Sequence, residues 1–317
     1  MTDLVVVIPV FNEEHNVMLL YDRLLGVMKS LDKSYRFVFV NDGSRDNTLA
    51  KLKELASKDK AVKYIDLSRN FGHQVAVTAG LHFAKGKRVV IIDADLQDPP
   101  ELIADMEAKM NEGYNVVYAR RRQRKGESFF KRITARIFYR LLKRITSVDI
   151  PVDTGDFRMM DWKVVEVLNR MPEQHKFIRG MVSWVGFKQT YVEYDRDQRH
   201  SGKTGYTFSK MLRFAIDGIT GFSNVPLKAA TWIGFGFSGI SFLLILYTLY
   251  ARFVVRDYVE GWASLMISIL FIGGIQLICL GLIGEYIIRM DANLRQRPLY
   301  IINETNVIGD SSTVNDA

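Results

Sequence analysis

Residues 89–100 read VVIIDADLQDPP, an apolar run that stops at Asp93 and continues with Asp95, Gln97 and Asp98. Four apolar residues in succession, bounded by turn formers, are the pattern of a strand buried on both faces, as in a parallel sheet. Oxygen ligands then arrive at alternate positions just past its carboxyl end. On extended backbone, residues i and i+2 point to the same side, so Asp93 and Asp95 suit a hard divalent cation shared with a diphosphate. A solvated acidic turn has the same composition, and the weight of so short a motif comes from its surroundings.

Those surroundings alternate strand and helix. Leu4–Val10 is a continuous apolar strand, followed by a helix pattern from Glu14 to Leu31. Strands at Arg36–Val40, Val62–Asp66 and Val89–Asp93 are separated by helix patterns over Asn47–Lys58 and Gln74–Ala84. The alternation predicts an α/β fold, with a Rossmann-like, mostly parallel sheet and flanking crossover helices. Ligands on such sheets bind at the carboxyl ends of the strands. Three strand ends carry polar clusters, Asn12-Glu13-Glu14, Asn41-Asp42-Gly43-Ser44 and Asp93-x-Asp95-x-Gln97, and these should meet in one crevice.

The crevice has no glycine cradle. Pro9-Val10-Phe11-Asn12-Glu13 stands where a dinucleotide fingerprint would follow the first strand, and there is no Walker A loop. Phosphates would instead be neutralised by a metal on Asp93 and Asp95. Asp42 and Glu13 are placed to accept hydrogen bonds from a base imide or ribose hydroxyls, although Asn-Asp-Gly-Ser is also strong turn sequence in which Asp42 could bond its own turn. A nucleoside diphosphate with a metal is the chemistry these residues predict.

The 317 residues allow about two domains. Hydrophobic content is 48% beside 25% charged residues, and the two are segregated. Ala229–Ala251 and Gly261–Gly284 carry no charge, and each exceeds the roughly 20 residues that cross a bilayer as a helix. Two transmembrane helices are therefore expected. Met1–Asp3 leads directly into a strand pattern, so no signal peptide is expected. Arg213 and Lys228 precede the first span, and Arg289, Arg295 and Arg297 follow the second. In the connector, Arg252 and Arg256 are balanced by Asp257 and Glu260. The positive-inside rule then puts the N-terminal domain and the tail in the cytoplasm, as a multi-pass protein of the inner (plasma) membrane. Cys279, the single cysteine, lies in the second span, so no disulfide framework exists.

The net charge of +8 has a location too. Residues 120–146 hold eleven Lys and Arg against Glu127 alone. Over 129–145, Phe130, Ile133, Ile137, Leu141 and Ile145 recur at helical spacing with basic residues on another face, the form of a helix lying on an anionic membrane. Nucleic acid is not the expected partner, because neither base-stacking aromatics nor a recognised motif accompanies the charge. The expected organisation is a catalytic domain over 1–205, an amphipathic juxtamembrane segment over 206–227, two spans over 228–290 and a cytoplasmic tail over 291–317. The polar stretch from Asn303 to Ala317 is expected to be unstructured. Gly273, Gly274, Gly281 and Gly284 would permit close helix packing and a homo-oligomer.

VVVIPVFNEEHN, VNDGSRDNT, LSRNFGHQVAVTAGL, DADLQDPPE, DTGDFRMMD and RHSGKTGYTFSKM occur in this order. Together they resemble the successive motifs of the polyprenyl-phosphate glycosyltransferases, the dolichol-phosphate mannosyltransferase-like branch of glycosyltransferase family 2, and are most similar to the bacterial enzymes that make undecaprenyl-phosphate glucose. The resemblance implies a GT-A fold and an inverting, metal-dependent transfer of a sugar from a nucleotide donor to a polyprenyl phosphate. By the same resemblance Pro9, Asn12, Glu13 and Asp42 bracket the nucleoside, with Arg69 and Gln74 also at the donor site. Asp93, Asp95 and Gln97 handle Mg²⁺ or Mn²⁺ and the diphosphate. Asp156 stands at the position of the catalytic carboxylate, though it could pair structurally with Arg158. Arg122, Arg199, Ser201 and Lys203 are candidates for gripping the lipid phosphate and the leaving diphosphate, and Gly202 and Gly205 would suit a mobile lid. His73 has no partner visible in sequence and reads as structural, while His200 stays open.

UDP-glucose is the first choice of donor on this resemblance, ahead of UDP-aminoarabinose, UDP-galactose, an N-acetylhexosamine donor and GDP-mannose. A processive polysaccharide synthase would show Q-x-x-R-W and more spans, which this chain lacks. A non-catalytic membrane nucleotide-sugar binder is the remaining alternative.

Overall fold

The computed structural model describes residues 2–122, 154–174, 176–195, 225–250 and 261–307. Four strands, β1 (Thr2–Val10), β2 (Tyr35–Asn41), β3 (Val62–Leu67) and β4 (Gly86–Ile91), lie parallel in the order β4-β1-β2-β3. They are joined by the crossover helices α1 (Val17–Leu31), α2 (Thr48–Lys58) and α3 (His73–Phe83). This half agrees with the strand–helix alternation in the sequence. Helix α1 starts at Val17 rather than Glu14, because the Glu13 carbonyl first accepts the amides of Asn16 and Val17 in a turn.

Alternation along β1 divides the interior into two layers. Leu4, Val6, Ile8 and Val10 pack with Leu20 and Leu24 of α1 and Leu52 of α2. Val5 and Val7 face the other way, onto Val77 and Leu81 of α3. Helix α4 (Leu102–Asn111) adds Ile103 and Met106 to the first layer.

Beyond β4 the sheet becomes mixed. Strand β5 (Val116–Arg121) and β6 (Thr154–Asp161) are antiparallel to each other, β6 is antiparallel to β4, and β7 (Gln189–Tyr194) runs parallel to β5. The short helices α5 (Trp162–Arg170) and α6 (Ile178–Val185) cover the second layer, contributing Val164, Leu168 and Met181. With a last strand β8 (Ile302–Thr305), the full order is β7-β5-β6-β4-β1-β2-β3-β8, a GT-A-like α/β arrangement.

Two long helices follow, α7 (Val225–Tyr250) and α8 (Trp262–Leu294). Phe237 and Phe271 meet edge to face between them, with ring centroids 5.4 Å apart. Large apolar side chains stand exposed along both, among them Trp232, Phe235 and Leu243 on α7 and Leu277, Ile278 and Ile288 on α8. Among the described residues one stretch, within Phe271–Leu294, is long and apolar enough to cross a membrane, with a mean hydropathy of 1.9 over its most apolar 18 residues. The basic helix expected over 129–145, most of the 206–227 segment and the 252–260 connector lie outside the described residues.

The tail corrects the sequence reading. Instead of losing structure after Asn303, the chain forms β8 (Ile302–Thr305), antiparallel to β3. The polar residues that suggested disorder are partnered: Asn303 Nδ2 donates to Asp66 Oδ2 at 2.8 Å, and Thr305 Oγ1 donates to the Tyr64 carbonyl at 2.7 Å. Just before β8, Tyr300 is buried against α3, its hydroxyl 2.8 Å from His82 Nδ1. Burial pushes the His82 pKa down to about 4, and Lys176 adds to the shift. The unfolded chain protonates this group near pH 6.5. Stability from this contact is therefore complete above about pH 6.5 and is lost as pH falls toward 4. His82→Gln, which keeps a polar amide without titrating, should flatten that part of the denaturation-midpoint profile; an unchanged profile would refute the assignment.

Candidate active site

Adjacency of β4, β1 and β2 brings their carboxyl ends together. The loops beyond them enclose a cavity of about 250 Å³ lined by Pro9, Phe11, Glu13, Asp42, Asn70, Gly72, His73, Asp93 and Asp95. The three polar clusters thus converge as their strand positions predict. Two of the loops interlock. Asn12, at φ 56°, donates its amide to Ser44 Oγ at 2.9 Å, and its side-chain oxygen accepts the Arg45 amide at 2.8 Å. Glu13 donates its amide to Thr48 Oγ1 at 2.9 Å, and its carboxylate accepts Asn16 Nδ2 at 2.6 Å.

Asp42 does not close its own turn. Its two oxygens accept the amides of Phe71 and Gly72, at 2.7 and 3.0 Å, and so hold the loop between β3 and α3 against the cavity. Burial pushes its pKa up against the opposing effect of those amides. Gly43, next in the chain, has φ +67°, and a Cβ there would lie 2.5 Å from the Arg69 carbonyl carbon. Only glycine meets both the left-handed backbone and the close approach. Gly43→Ala should cost about 2 kcal/mol or more of stability and raise the KM for a nucleotide donor. Melting and donor titrations check it, and parent-like values in both would show the loops to be independent.

Asp93 stands two residues past the end of β4. Among the described residues its buried Oδ1 has no hydrogen-bond partner, and His73 Nε2 stands 3.6 Å from it. Burial raises its pKa to about 6, Asp156, Asp98 and Asp95 add to this, and His73 opposes it. Asp95 is nearly buried, and its Oδ1 accepts the Gln97 amide at 3.1 Å. The bend between them is made by Leu96, at φ 59°. Two carboxylates at one cavity wall, one with an orphan oxygen, fit a divalent cation. Among the described residues no group of three or more His, Cys, Asp or Glu could hold a metal alone. The rest of the shell would come from phosphate and water, the habit of Mg²⁺ in phosphate sites.

Asp156, on β6, is 5% exposed. Its Oδ1 accepts Arg179 Nε at 2.9 Å, and its Oδ2 accepts Gln74 Nε2 and faces His73 Nε2, each at 3.0 Å. Burial by itself would raise its pKa, but Arg179, then His73 and Arg158, outweigh it and hold the carboxyl well below the usual range. Arg158, also buried, donates mainly to the backbone carbonyls of Gly155 and Asp156 and stands 3.7 Å from the Asp156 carboxylate. Burial pulls the His73 pKa down, yet Asp93 and Asp156 carry it up to about 9, so the imidazole is charged at neutral pH and donates to Asp156.

Gln74 therefore acts behind the cavity: while Nε2 holds Asp156, Oε1 accepts the Ile178 amide at 3.0 Å and positions the start of α6. Arg69 is exposed and stacks over Phe71, 4.0 Å from its ring. Gln97 reaches the site through its backbone. Arg122 stands apart, on the solvent side beside Glu193 at 3.7 Å. Arg199, Ser201, Lys203 and His200 lie outside the described residues. Sequence reasoning missed His73 and Arg179 as members of the site, since their partner Asp156 is distant in the chain.

Comparison with known proteins places this sequence in a family. The description "Glycosyl transferase family 2" matches residues 5–168, and "GtrB C-terminal hairpin" matches 225–290. The chain is 51% identical over 300 residues to the Bacillus subtilis protein YkcC, called an uncharacterized glycosyltransferase, covering 95% of this chain and 93% of that one. It is 39% identical over 300 residues to the SfII prophage-derived bactoprenol glucosyl transferase of Shigella flexneri, covering 95% and 97%. Among solved structures, glucosyl-3-phosphoglycerate synthase of Mycobacterium tuberculosis, with Mn²⁺, UDP-glucose and phosphoglyceric acid, aligns with 69% of this chain and 78% of its own, at 16% identity and a TM-score of 0.46. The matched sequence regions make this chain a glycosyltransferase, and it belongs to family 2 with a GtrB-type C-terminal hairpin.

Proposed function

We propose that the protein transfers a hexose, glucose from UDP-glucose, to undecaprenyl phosphate at the cytoplasmic face of the membrane, with inversion and with Mg²⁺ or Mn²⁺. The observation that carries this is the pairing of Asp93 and Asp95 on one wall of the cavity with the buried, ionised Asp156 behind another, in a chain that continues into two exposed apolar helices. The bactoprenol named for its relatives supports the acceptor class. The uncharged lengths of α7 and α8, with the basic residues outside them, support two spans with the catalytic domain inside. The open surface around Gly273, Gly274, Gly281 and Gly284 supports a homo-oligomer of hairpins.

Pro9, Glu13 and Asp42 bind the nucleoside side of the donor, with Asn12 bracing that wall. Asp93 and Asp95, with the Gln97 turn, would hold the metal, which neutralises the diphosphate as it leaves. Arg69 closes the outer donor wall, and Arg122, Arg199, Ser201 and Lys203 are assigned to the phosphates of acceptor and leaving group. The acceptor is a phosphate monoester with a second pKa of about 6, so its oxygen is already anionic at neutral pH. General-base help, worth about 10²–10⁴-fold for a hydroxyl, is then dispensable. Asp156 orients cationic groups around the reacting centre and favours positive charge developing at the sugar carbon.

The test offers purified, detergent-solubilised protein undecaprenyl phosphate and a panel of labelled nucleotide sugars, with Mn²⁺ or with chelator. Metal-dependent label in the lipid fraction from UDP-glucose is the expected result. Nucleotide binding without transfer from any donor would replace the reaction with a binding role.

A further inference from the structure

The chain beyond α8 makes more contacts than a sheet-edge strand requires, and they lead from the membrane helix to the nucleoside wall. The uncharged part of α8 ends at Gly284, but the helix continues to Leu294. Residues 285–294 therefore project about 15 Å further at ~1.5 Å per residue, as a post closed by the Asp291–Arg295 pair at 2.7 Å. Gln296, at φ 46°, turns the chain sharply. Gln174, just ahead of α6, grips both sides of that turn: its amide donates to Asn293 Oδ1 and its Nε2 donates to the Arg297 carbonyl, each at 3.0 Å.

From there Tyr300 is buried on His82, and the Ile301 carbonyl accepts the Ser68 amide at 2.9 Å. Asn303 Nδ2 donates to Asp66 Oδ2, while Asp66 Oδ1 accepts Asn41 Nδ2 at 2.6 Å. Asn41 precedes Asp42, which forms the cavity wall.

We propose that residues 295–307 are a strap that mounts the catalytic cleft rigidly on the α8 post, fixing the height and tilt of the cleft over the bilayer so that it meets a lipid-embedded phosphate. A polyprenyl chain leaves the bilayer at a cost of about 0.8 kcal/mol per CH₂, so the site must be held where the headgroup lies. Ordinary linkers leave such a domain free to wander. This mounting rests on the membrane reading above, and its test is separable from the sugar transfer.

The test inserts six Gly/Ser residues between Gln296 and Arg297 and combines them with Asn293→Ala. The strap's contacts to β3 stay, but the mounting gains about 13 Å of play by random-coil scaling. With a dye at Glu112→Cys on a Cys279→Ala background, energy transfer to acceptor lipids in vesicles reads the height of the domain without turnover. A shifted, broadened distance is expected, and an unchanged one overturns the mounting. In active protein, transfer to long-chain polyprenyl phosphate in vesicles should fall about tenfold, while transfer to a short, water-soluble prenyl phosphate and the donor KM stay at parent values. Equal losses with both acceptors overturn the proposal. If the insertion variant fails to fold, Asn293→Ala with Gln174→Ala cuts the ties at the helix end without added residues and carries the same readouts. A parent that transfers no sugar refutes the proposed reaction, and the dye still decides the mounting.

Discussion

Asp93→Asn is expected to lower sugar transfer about 10³-fold while leaving the metal-free protein at least as stable as the parent. Asp93 Oδ1 is buried without a hydrogen bond among the described residues, and burial already drives its pKa up to about 6. An ionised carboxylate kept in that position at neutral pH destabilises the fold, because burial of a charge is offset only by close pairing. His73 at 3.6 Å supplies part of that pairing. Asparagine has nearly the same shape and removes the charge, so the melting temperature should hold or rise, by about 2–4 °C for each kcal/mol relieved. Activity should move the other way. With Asp93 and Asp95 at the metal and diphosphate, as proposed, losing one of the two forfeits several kcal/mol of charge stabilisation, about a 10³-fold fall in kcat/KM. The paired measurement is a thermal melt without metal and a transfer assay with it. A variant that melts far below the parent would show Asp93 to be structural, and one with parent-like activity would remove it from the metal site.

That a residue can be locally unfavourable and still retained explains which parts of the site were legible in the sequence. Asp93, Asp95 and Asp42 stand out because each interrupts an apolar strand at its carboxyl end, where a parallel sheet leaves a crevice. Strand β6 is different. Thr154, Asp156 and Arg158 are all buried in it, and their polarity hides a strand that is covered along almost its whole length. Only the partners from elsewhere make such burial tolerable: Arg179 from α6, and His73 and Gln74 from α3. No pattern of period two or 3.6 carries that information. The same holds for β8 and the residue after it: Asn303 looks like a loop residue until it is seen to donate to Asp66, and Asn306 until its side-chain oxygen is seen to accept the Tyr64 amide. The apolar hairpin lies at the opposite extreme, where composition alone marks α7 and α8. Local regularity was readable, and charge compensated at long range was not.

Asp156→Asn should be the more damaging change, because it harms fold and chemistry together. Both carboxylate oxygens are engaged, by Arg179 on one side and by Gln74 and His73 on the other, with Arg158 buried close by. An amide can accept on one atom only, so its NH₂ would confront one set of donors. Removing the charge also leaves buried cations uncompensated, at a cost of about 3–5 kcal/mol for a broken buried pair. The pKa of Asp156 lies well below its unfolded value, so its contribution is present above pH 3.8 and is lost as pH falls below it. The parent should therefore lose stability in acid more steeply than Asp156→Asn, and the two denaturation curves should converge as pH drops. For activity, Asp156 with its oxygens so occupied is poorly placed to take a proton. The variant should fall about 10³-fold or more by a similar factor across pH 6–8, with the curve keeping its shape. If the loss appears only where the acceptor phosphate is protonated, Asp156 is a general base and the orienting role assigned to it is wrong. Equal stability of the variant and the parent at neutral pH would show instead that the four cationic and amide groups around it hold one another in place without the carboxylate.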